Sequence, residues 1–198
     1  ARRIAQTDLE CLMVLGFDPA ETSARAIAAS MGNSDRYLLV RKPWDPSELR
    51  QCAVALSERW IVARTDALTG LLNRRAFEQH LRRKWARHRR TGQSLACVTV
   101  DVDYFKAIND RLGHAVGDQV LLLLAELLLT HRRASDAVCR YGGEEICILM
   151  PGASEEEAVA WAEEMRRAIE KHAFIIGDDG LQMTASFGVS ASDGAMRH

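Results

Sequence analysis

The stretch Arg140-Tyr141-Gly142-Gly143-Glu144-Glu145 constrains this chain most. Two short apolar runs flank it, 137–141 and 146–150. The second is continuously apolar, as a strand buried on both faces is. Gly142-Gly143 between them predicts a two-residue hairpin, because glycine accepts the positive φ of the tight primed turns. Two carboxylates then begin the returning strand. Successive strand side chains point to opposite faces, so Glu144 and Glu145 are expected to serve different surroundings.

The rest of the chain supplies partners for these acids. Residues 95–103 form the best strand, ending in Asp101-Val102-Asp103 with both acids on one face if the strand persists. A turn and short helix follow over 104–110, and a helix N-terminus after a strand offers free N–H groups to phosphate oxygens. Gly113-His114-Ala115-Val116-Gly117-Asp118 leads into an apolar helix over 120–129, expected to be buried on most sides. Upstream, residues 66–75 break an earlier helix, and Asn73 is a good cap for the next. That helix carries Phe77, Leu81, Trp85 and His88 on its apolar face. Arg82, Arg83, Lys84, Arg87, Arg89 and Arg90 make its other face basic. No aromatic stacking platform accompanies them, so a solvated face is expected rather than nucleic-acid binding. Ser154 and Glu157 make a capping box for a helix burying Ala158, Trp161, Met165 and Ile169. Residues 181–190 read as a last strand with Thr184, Ser186 and Gly188.

The order predicts an α/β (α+β) fold, a mixed sheet covered by helices, with the two acid-bearing points side by side at one sheet edge. If Asp101, Asp103 and Glu144 converge, each like-charged pair repels by about 4 kcal/mol at an effective dielectric of about 20. Such a cluster either protonates or holds a cation. Oxygen-only ligands suit Mg²⁺ or Mn²⁺, which combine carboxylates with substrate phosphates, and two such ions clamp an in-line displacement. Lys106 adds a point charge against a polyphosphate, and Asn109 with Asp118 can read a base edge. Spacing alone therefore supports metal-dependent phosphoryl or nucleotidyl transfer.

Ahead of these motifs, residues 1–60 alternate strand and helix: a strand over 12–15 ending at Gly16, a helix over 20–31 stopped by Gly32-Asn33, a strand over 37–40, and a helix from Pro46-Ser47. This is half of an α/β sandwich. The helix runs on through Trp60, Ile61, Val62 and Ala63 without Gly or Pro, which would couple the two regions or serve as a dimer stalk.

The 198 residues suffice for one ordinary domain and part of another, and 47% hydrophobic residues support a real core. A net charge of -1 excludes a general polyanion binder. The five cysteines (Cys11, Cys52, Cys97, Cys139, Cys147) form no Cys-x-x-Cys pair, which points to a reducing, cytoplasmic setting. The most apolar run, 120–129, is too short to span a bilayer.

Two resemblances go further. The stretch from Asp35 to Leu49, with Lys42-Pro43 inside it, resembles the end of a two-component receiver domain. Lys42 would then be the lysine that contacts the phosphorylated aspartate, and an upstream histidine kinase would be a partner. The phosphoacceptor strand would precede residue 1, and Gly16 stands where receivers usually have Ser or Thr. The second resemblance covers residues 64–190 with four motifs in order: 66–75, 101–110, 113–118 and 140–146. It is to the GGDEF family of diguanylate cyclases, whose fold resembles the palm of polymerases. The family condenses two GTP into cyclic di-GMP, releasing pyrophosphate, between two facing subunits.

That resemblance implies domains over 1–60 and 61–198, the second a GGDEF domain with its C-terminal end missing, because the family continues into a helix carrying a lysine and an arginine. It implies metal ligation by Asp101, Glu144 and the Val102 carbonyl, with Mg²⁺ or Mn²⁺, two per site. Glu144 would activate the 3′-hydroxyl and Lys106 would stabilise charge on the phosphate. Phe105, Asn109, His114, Asp118, Gly142, Gly143 and Glu145 would contact the substrate. Arg133 and Asp136 resemble the site where cyclic di-GMP, the product, binds and inhibits. Ile146 replaces the usual phenylalanine of the signature, and Glu164 stands where the family often has an arginine. The alternative reading is a catalytically inactive receptor that binds cyclic di-GMP through Arg133 and Asp136. A DNA-binding response regulator lacks a recognition helix here.

Overall fold

A computed structural model describes residues 13–31, 37–43, 45–176 and 179–193. The expected helix stop at Gly32-Asn33, and Leu12, Asp35, Arg36 and Trp44, lie outside them. The chain divides into two compact units, residues 1–64 and 65–198.

In the first unit, β1 (Met13–Phe17) and β2 (Tyr37–Arg41) pair in parallel, with α1 (Ala24–Met31) between them in sequence. β1 runs through Gly16 to Phe17 instead of stopping at the glycine, because Gly16 is held in register opposite Val40. α1 starts at Ala24, four residues later than expected from composition, where the Ser23 hydroxyl accepts the Ala26 N–H. α2 (Pro46–Arg64) is one uninterrupted helix. Asp45 caps it by accepting the Ser47 and Glu48 N–H groups at 2.7 and 2.8 Å, and Pro46 fits the first helical position, where no N–H is needed. Leu56 is its buried apolar anchor.

The second unit is built on a five-stranded mixed sheet in the order β3-β5-β6-β4-β9. Its strands are β3 (Leu72–Asn73), β4 (Leu95–Val102), β5 (Ala137–Arg140), β6 (Glu145–Pro151) and β9 (Ala185–Ser192). Only β3 and β5 are parallel; the other neighbours are antiparallel. Side-chain alternation sorts the residues onto two faces. One face carries Val98, Val100, Val102, Ile146, Ile148 and Met150 in the main core. α5 (His114–His131) adds Leu121, Leu124 and Leu128 to that core, and α6 (Glu155–Lys171) adds Met165 and Ile169. The other face carries Leu95, Cys139, Cys147 and Leu149 against Phe77 of α3 (Arg74–Thr91). Both faces of β6 are therefore covered, which is why its run is continuously apolar. A short helix, α4 (Phe105–Leu112), links β4 to α5, and a small hairpin, β7 (Phe174–Ile176) and β8 (Asp179–Leu181), follows α6. The segment read as one strand over 181–190 is thus broken between β8 and β9.

Three burial expectations change. α5 is not enclosed on most sides: Leu122 and Leu129 are 41% and 39% exposed, because the helix lies on the sheet with only one face inward. Trp85 is exposed and stacks on His88, centroids 5.0 Å apart. His88 itself is buried, its ring nitrogens meeting the Gln93 carbonyl at 2.6 Å and the Ser192 hydroxyl at 3.1 Å. Trp161 is only partly buried, its indole N–H donating to the His131 carbonyl at 3.2 Å. The capping box at Ser154 and Glu157 is present as expected.

The hairpin between β5 and β6 forms, but not through a two-residue primed turn. Arg140 pairs with Ile146, leaving Tyr141 to Glu144 as the loop. Neither Gly142 nor Gly143 has positive φ. The loop is closed instead by the Glu145 carbonyl, which accepts the Tyr141 and Gly142 N–H groups at 2.8 and 3.2 Å. The Arg140 guanidinium completes it, donating to the Gly143 carbonyl at 3.0 and 2.8 Å. The Glu145 carboxylate folds over Gly142, where an added Cβ would push it aside.

The same guanidinium reaches Asp66 at 3.2 Å, with the two side chains 18% and 23% exposed. Asp66 also accepts the Thr69 N–H and hydroxyl at 2.9 and 2.8 Å. The 66–75 stretch is thereby fixed to the hairpin, and Asn73 caps α3 by accepting the Ala76 N–H at 2.9 Å. Burial pushes the Asp66 carboxyl up, but the Thr69 hydrogen bonds and the Arg140 charge outweigh it and hold the group below its ordinary value.

Two predictions follow from this packing. Because the folded-state pKa of Asp66 is depressed, its contribution is present above about pH 4 and is lost as pH falls further. Asp66→Asn should lower the melting temperature at pH 7, and its deficit against the unsubstituted protein should shrink below pH 4, as read by thermal melts across pH. In denaturant unfolding, Leu124→Ala should cost about 2–5 kcal/mol, whereas Leu122→Ala on the exposed face of α5 should cost under about 1 kcal/mol.

Candidate active site

β4 and β6 are neighbours in the interior of the sheet, so the two acid-bearing points meet at one end of two central strands and not at a sheet edge. Asp101 is the Cα partner of Glu145 on one side and of Ser186 on the other. Cross-strand partners share a face, and Asp101, Glu145 and Ser186 line one cavity of about 520 Å³ with Thr99, Cys97, Cys147 and Tyr141. Glu144 is the residue before that rung, half-buried in the loop. Among the described residues, no lysine or arginine pairs with Asp101, Glu144 or Glu145. Tyr141 is held at the mouth by an edge-to-face contact with Phe77 (6.2 Å, 79°) and by the Arg74 guanidinium 4.4 Å above its ring.

The expected convergence of Asp101, Asp103 and Glu144 as three free acids is not what the fold builds. β4 ends at Val102, and the Asp103 carboxylate accepts hydroxyl hydrogen bonds from Thr184 and Ser186, both at 2.6 Å. The Ser186 and then the Thr184 hydroxyl hold its carboxyl below the ordinary value. Among the described residues, no group of three His, Cys, Asp or Glu side chains is arranged to hold a metal ion. What remains is an oxygen-only pair on one face, the Asp101 and Glu145 carboxylates, neither paired with a cation among the described residues, with Glu144 one residue before that rung and the Val102 carbonyl one residue after Asp101. Uncompensated carboxylates of this kind fit a hard divalent cation that takes its other ligands from water and phosphate.

After β4 the chain turns at Tyr104, which adopts left-handed backbone angles (φ 57°, ψ 28°) and is 85% exposed. The first N–H groups of α4 have no partner within the helix, and Lys106, its second residue, is exposed. Phe105 is 7% exposed and packs into the main core, so its ring supports the turn from behind and does not face solvent. Gly113 (φ 88°) then reverses the chain from α4 into α5. A Cβ at Gly117 would collide with the Asn109 amide oxygen and approach Phe105 to 3.2 Å. Asn109 therefore lies against the first turn of α5, beside Asp118, with His114 at its start and both exposed. The α4–α5 corner thus carries Asn109 and Asp118, which the sequence singled out for the base, along with His114.

Arg133 and Asp136 lie in the turn between α5 and β5. Asp136 is 4% exposed, and its carboxylate accepts the Arg133 N–H at 2.9 Å and the Ser135 hydroxyl at 3.2 Å. The Arg133 side chain is half-exposed and directed at Glu157, 3.7 Å away. The exposed Arg133–Asp136 ion pair that spacing allows is thus replaced by a carboxylate closing its own turn.

Sequence reading did not identify the contacts of Asp66 with Arg140 or of Asp103 with Thr184 and Ser186. These pairs are 74, 81 and 83 residues apart. The only signal was hydroxyl residues at alternate positions of one strand.

The matches to known proteins agree with this geometry. The family model described as "Diguanylate cyclase, GGDEF domain" matches residues 63–197. Diguanylate cyclase DgcP of Pseudomonas aeruginosa is 40% identical over 132 residues, 67% of this chain and 20% of that protein. Response regulator PleD of Caulobacter vibrioides is 34% identical over 193 residues, 89% of this chain and 42% of that protein, a span that reaches into the first unit. The chain spans well under half the length of these curated relatives. Among solved structures, diguanylate cyclase SiaD of Pseudomonas aeruginosa, in complex with its activator SiaC, has a TM-score of 0.64 at 37% identity, covering 74% of this chain and 55% of that one. The coiled coil and GGDEF domain of DgcB from Caulobacter crescentus, in complex with c-di-GMP, has a TM-score of 0.69 at 26% identity, covering 75% and 81%. The chain belongs to the GGDEF family of diguanylate cyclases.

Proposed function

We propose that this protein condenses two GTP into cyclic di-GMP with release of two pyrophosphates, as the output domain of a response regulator. The observation that carries the reading is the rung Asp101–Glu145, with Glu144 beside it, at the same sheet end as the start of α4. Asp101, Glu144 and the Val102 carbonyl would hold Mg²⁺ or Mn²⁺, two ions per site. The metal, when bound, supplies Lewis-acid stabilisation of charge on the reacting phosphate.

The chain's own groups do the rest. Asn109 and Asp118 read the guanine edge at the α4–α5 corner, and His114 borders it. The free N–H groups at the start of α4 receive phosphate oxygens, and Lys106 offsets the charge that builds up there. Gly142 and Gly143 let the backbone of the loop approach the nucleotide without a Cβ. Glu144 takes the proton of the 3′-hydroxyl as that oxygen attacks the α-phosphorus of the facing GTP and pyrophosphate leaves. Glu145 provides a further contact on the metal or phosphate side.

Each phosphodiester joins two nucleotides, so two copies must face each other, and the active species is a homodimer. Val54 and Ile61, one heptad apart on α2, are 50% and 51% exposed and supply an apolar stripe for such pairing. Lys42, beyond the end of β2, corresponds to the receiver lysine, which supports a histidine kinase as the input partner. Product binding at the Arg133–Asp136 turn would give feedback inhibition, with the half-exposed Arg133 guanidinium turning from Glu157, 3.7 Å away, toward guanine or phosphate while Asp136 keeps the turn closed.

The test is turnover of GTP with Mg²⁺ by the full-length protein, followed by chromatography of the nucleotides. Glu144→Ala should reduce cyclic di-GMP formation by at least about a hundredfold. Unchanged turnover in that variant would reject the assignment, and tight binding of cyclic di-GMP with no turnover by the unsubstituted protein would mark a receptor instead. In the same assay Arg133→Ala should retain activity at product concentrations that arrest the unsubstituted enzyme. Identical inhibition curves would remove the product site from this turn.

A further inference from the structure

Thr184, Ser186 and Gly188 are unexplained by the chemistry above, yet they fall at alternate positions and so on one face of β9 and its approach. Gly188 leaves room for Thr99, whose hydroxyl would lie 2.7 Å from an added Cβ. The other two serve Asp103. Past the last rung, Val102 with Ala185, the Asp103 N–H donates to the Thr184 carbonyl at 3.0 Å. The Asp103 carboxylate then accepts Thr184 Oγ1 on one oxygen and Ser186 Oγ on the other, each at 2.6 Å. Because Ser186 is the Cα partner of Asp101, this carboxylate is folded back toward the acid rung.

Three hydrogen bonds thus fix the residue immediately before Tyr104. An aromatic residue in the left-handed region is strained, and such a residue persists only where its surroundings over-determine it. The clamp on Asp103 provides that constraint from one side, and the buried Phe105 from the other. Between them they set the direction of α4, and with it the free N–H groups, Lys106 and Asn109.

We infer that Thr184 and Ser186 are positioning residues for nucleotide binding: their hydroxyls hold Asp103 so that the start of α4 is preset to receive the triphosphate. The inference rests on the cyclase reading above, and it adds Ser186 of β9 and Thr184 just before it, two residues to which that reading gives no role. Their effect reaches the substrate through the backbone of 103–105. It is therefore expected in GTP affinity more than in the chemical step, since the groups that move protons sit on other elements.

The experiment compares full-length protein with Thr184→Val/Ser186→Ala, which removes both hydroxyls, and Thr184→Ser/Ser186→Thr, which keeps them. Amide exchange over 103–112 is followed without nucleotide, and KM and kcat are measured with GTP and Mg²⁺. Loss of the hydroxyls should speed exchange about tenfold at the hydrogen-bonded amides of Asp103 and 108–112 and raise KM about tenfold, with kcat changed less than about threefold. The hydroxyl-keeping variant should match the unsubstituted protein in both readouts. Unchanged exchange overturns the clamp. Faster exchange with unchanged KM overturns its positioning role and leaves a merely structural tie. If the unsubstituted protein makes no product, the cyclase reading fails instead, and the exchange measurement still decides whether the clamp sets the turn.

Discussion

The Asp101–Glu145 rung of the sheet, with no cation paired to either carboxylate among the described residues, is the constraint on which the rest of this structure depends. At an effective dielectric of about 20, two such charges about 4 Å apart repel by about 4 kcal/mol. That is a large part of the stability of an ordinary domain. The fold holds Asp101 and Glu145 in register through seven paired positions of β4 and β6, whose inward side chains are almost wholly buried. Core packing thus fixes where these two acids stand, and a divalent cation is the species proposed to sit beside them.

Two further devices keep the acids where the sheet puts them. Arg140 spans from Asp66 to the Gly143 carbonyl, so one guanidinium joins the entry to the unit and the loop that carries Glu144. Asp103 is held by the hydroxyls of Thr184 and Ser186 and does not stand free beside Asp101. The division of labour between Asp101 and Asp103 follows from where β4 ends: Asp101 is the last acid in the ladder, and Asp103 is the first residue beyond it.

Much of this was legible in the chain. The run Ile146 to Met150 announced a strand covered on both faces, Asn73 and Ser154 announced helix starts, and the order of the acid motifs announced which strand ends would meet. Other features were not legible, for physical reasons. Gly142-Gly143 suggested a tight primed turn, but side-chain hydrogen bonds from Arg140 close a longer loop, and no local propensity encodes an arginine reaching across it. The apolar run Val120 to Leu129 suggested an enclosed helix. Composition cannot tell which face lacks a partner, and Leu122 and Leu129 are left exposed. The pairing of Asp103 with Thr184 and Ser186 depends on sheet register between distant segments, which alternation alone does not fix.

The central claim is that Asp101 and Glu144 share a divalent ion beside a nucleotide. Anomalous diffraction from crystals grown with Mn²⁺ and a non-hydrolysable GTP analogue tests it most directly. The account predicts manganese within bonding distance of carboxylate oxygens of both residues, with the guanine against Asn109 and Asp118. Manganese bound elsewhere, or a nucleotide seated away from the α4–α5 corner, would contradict it.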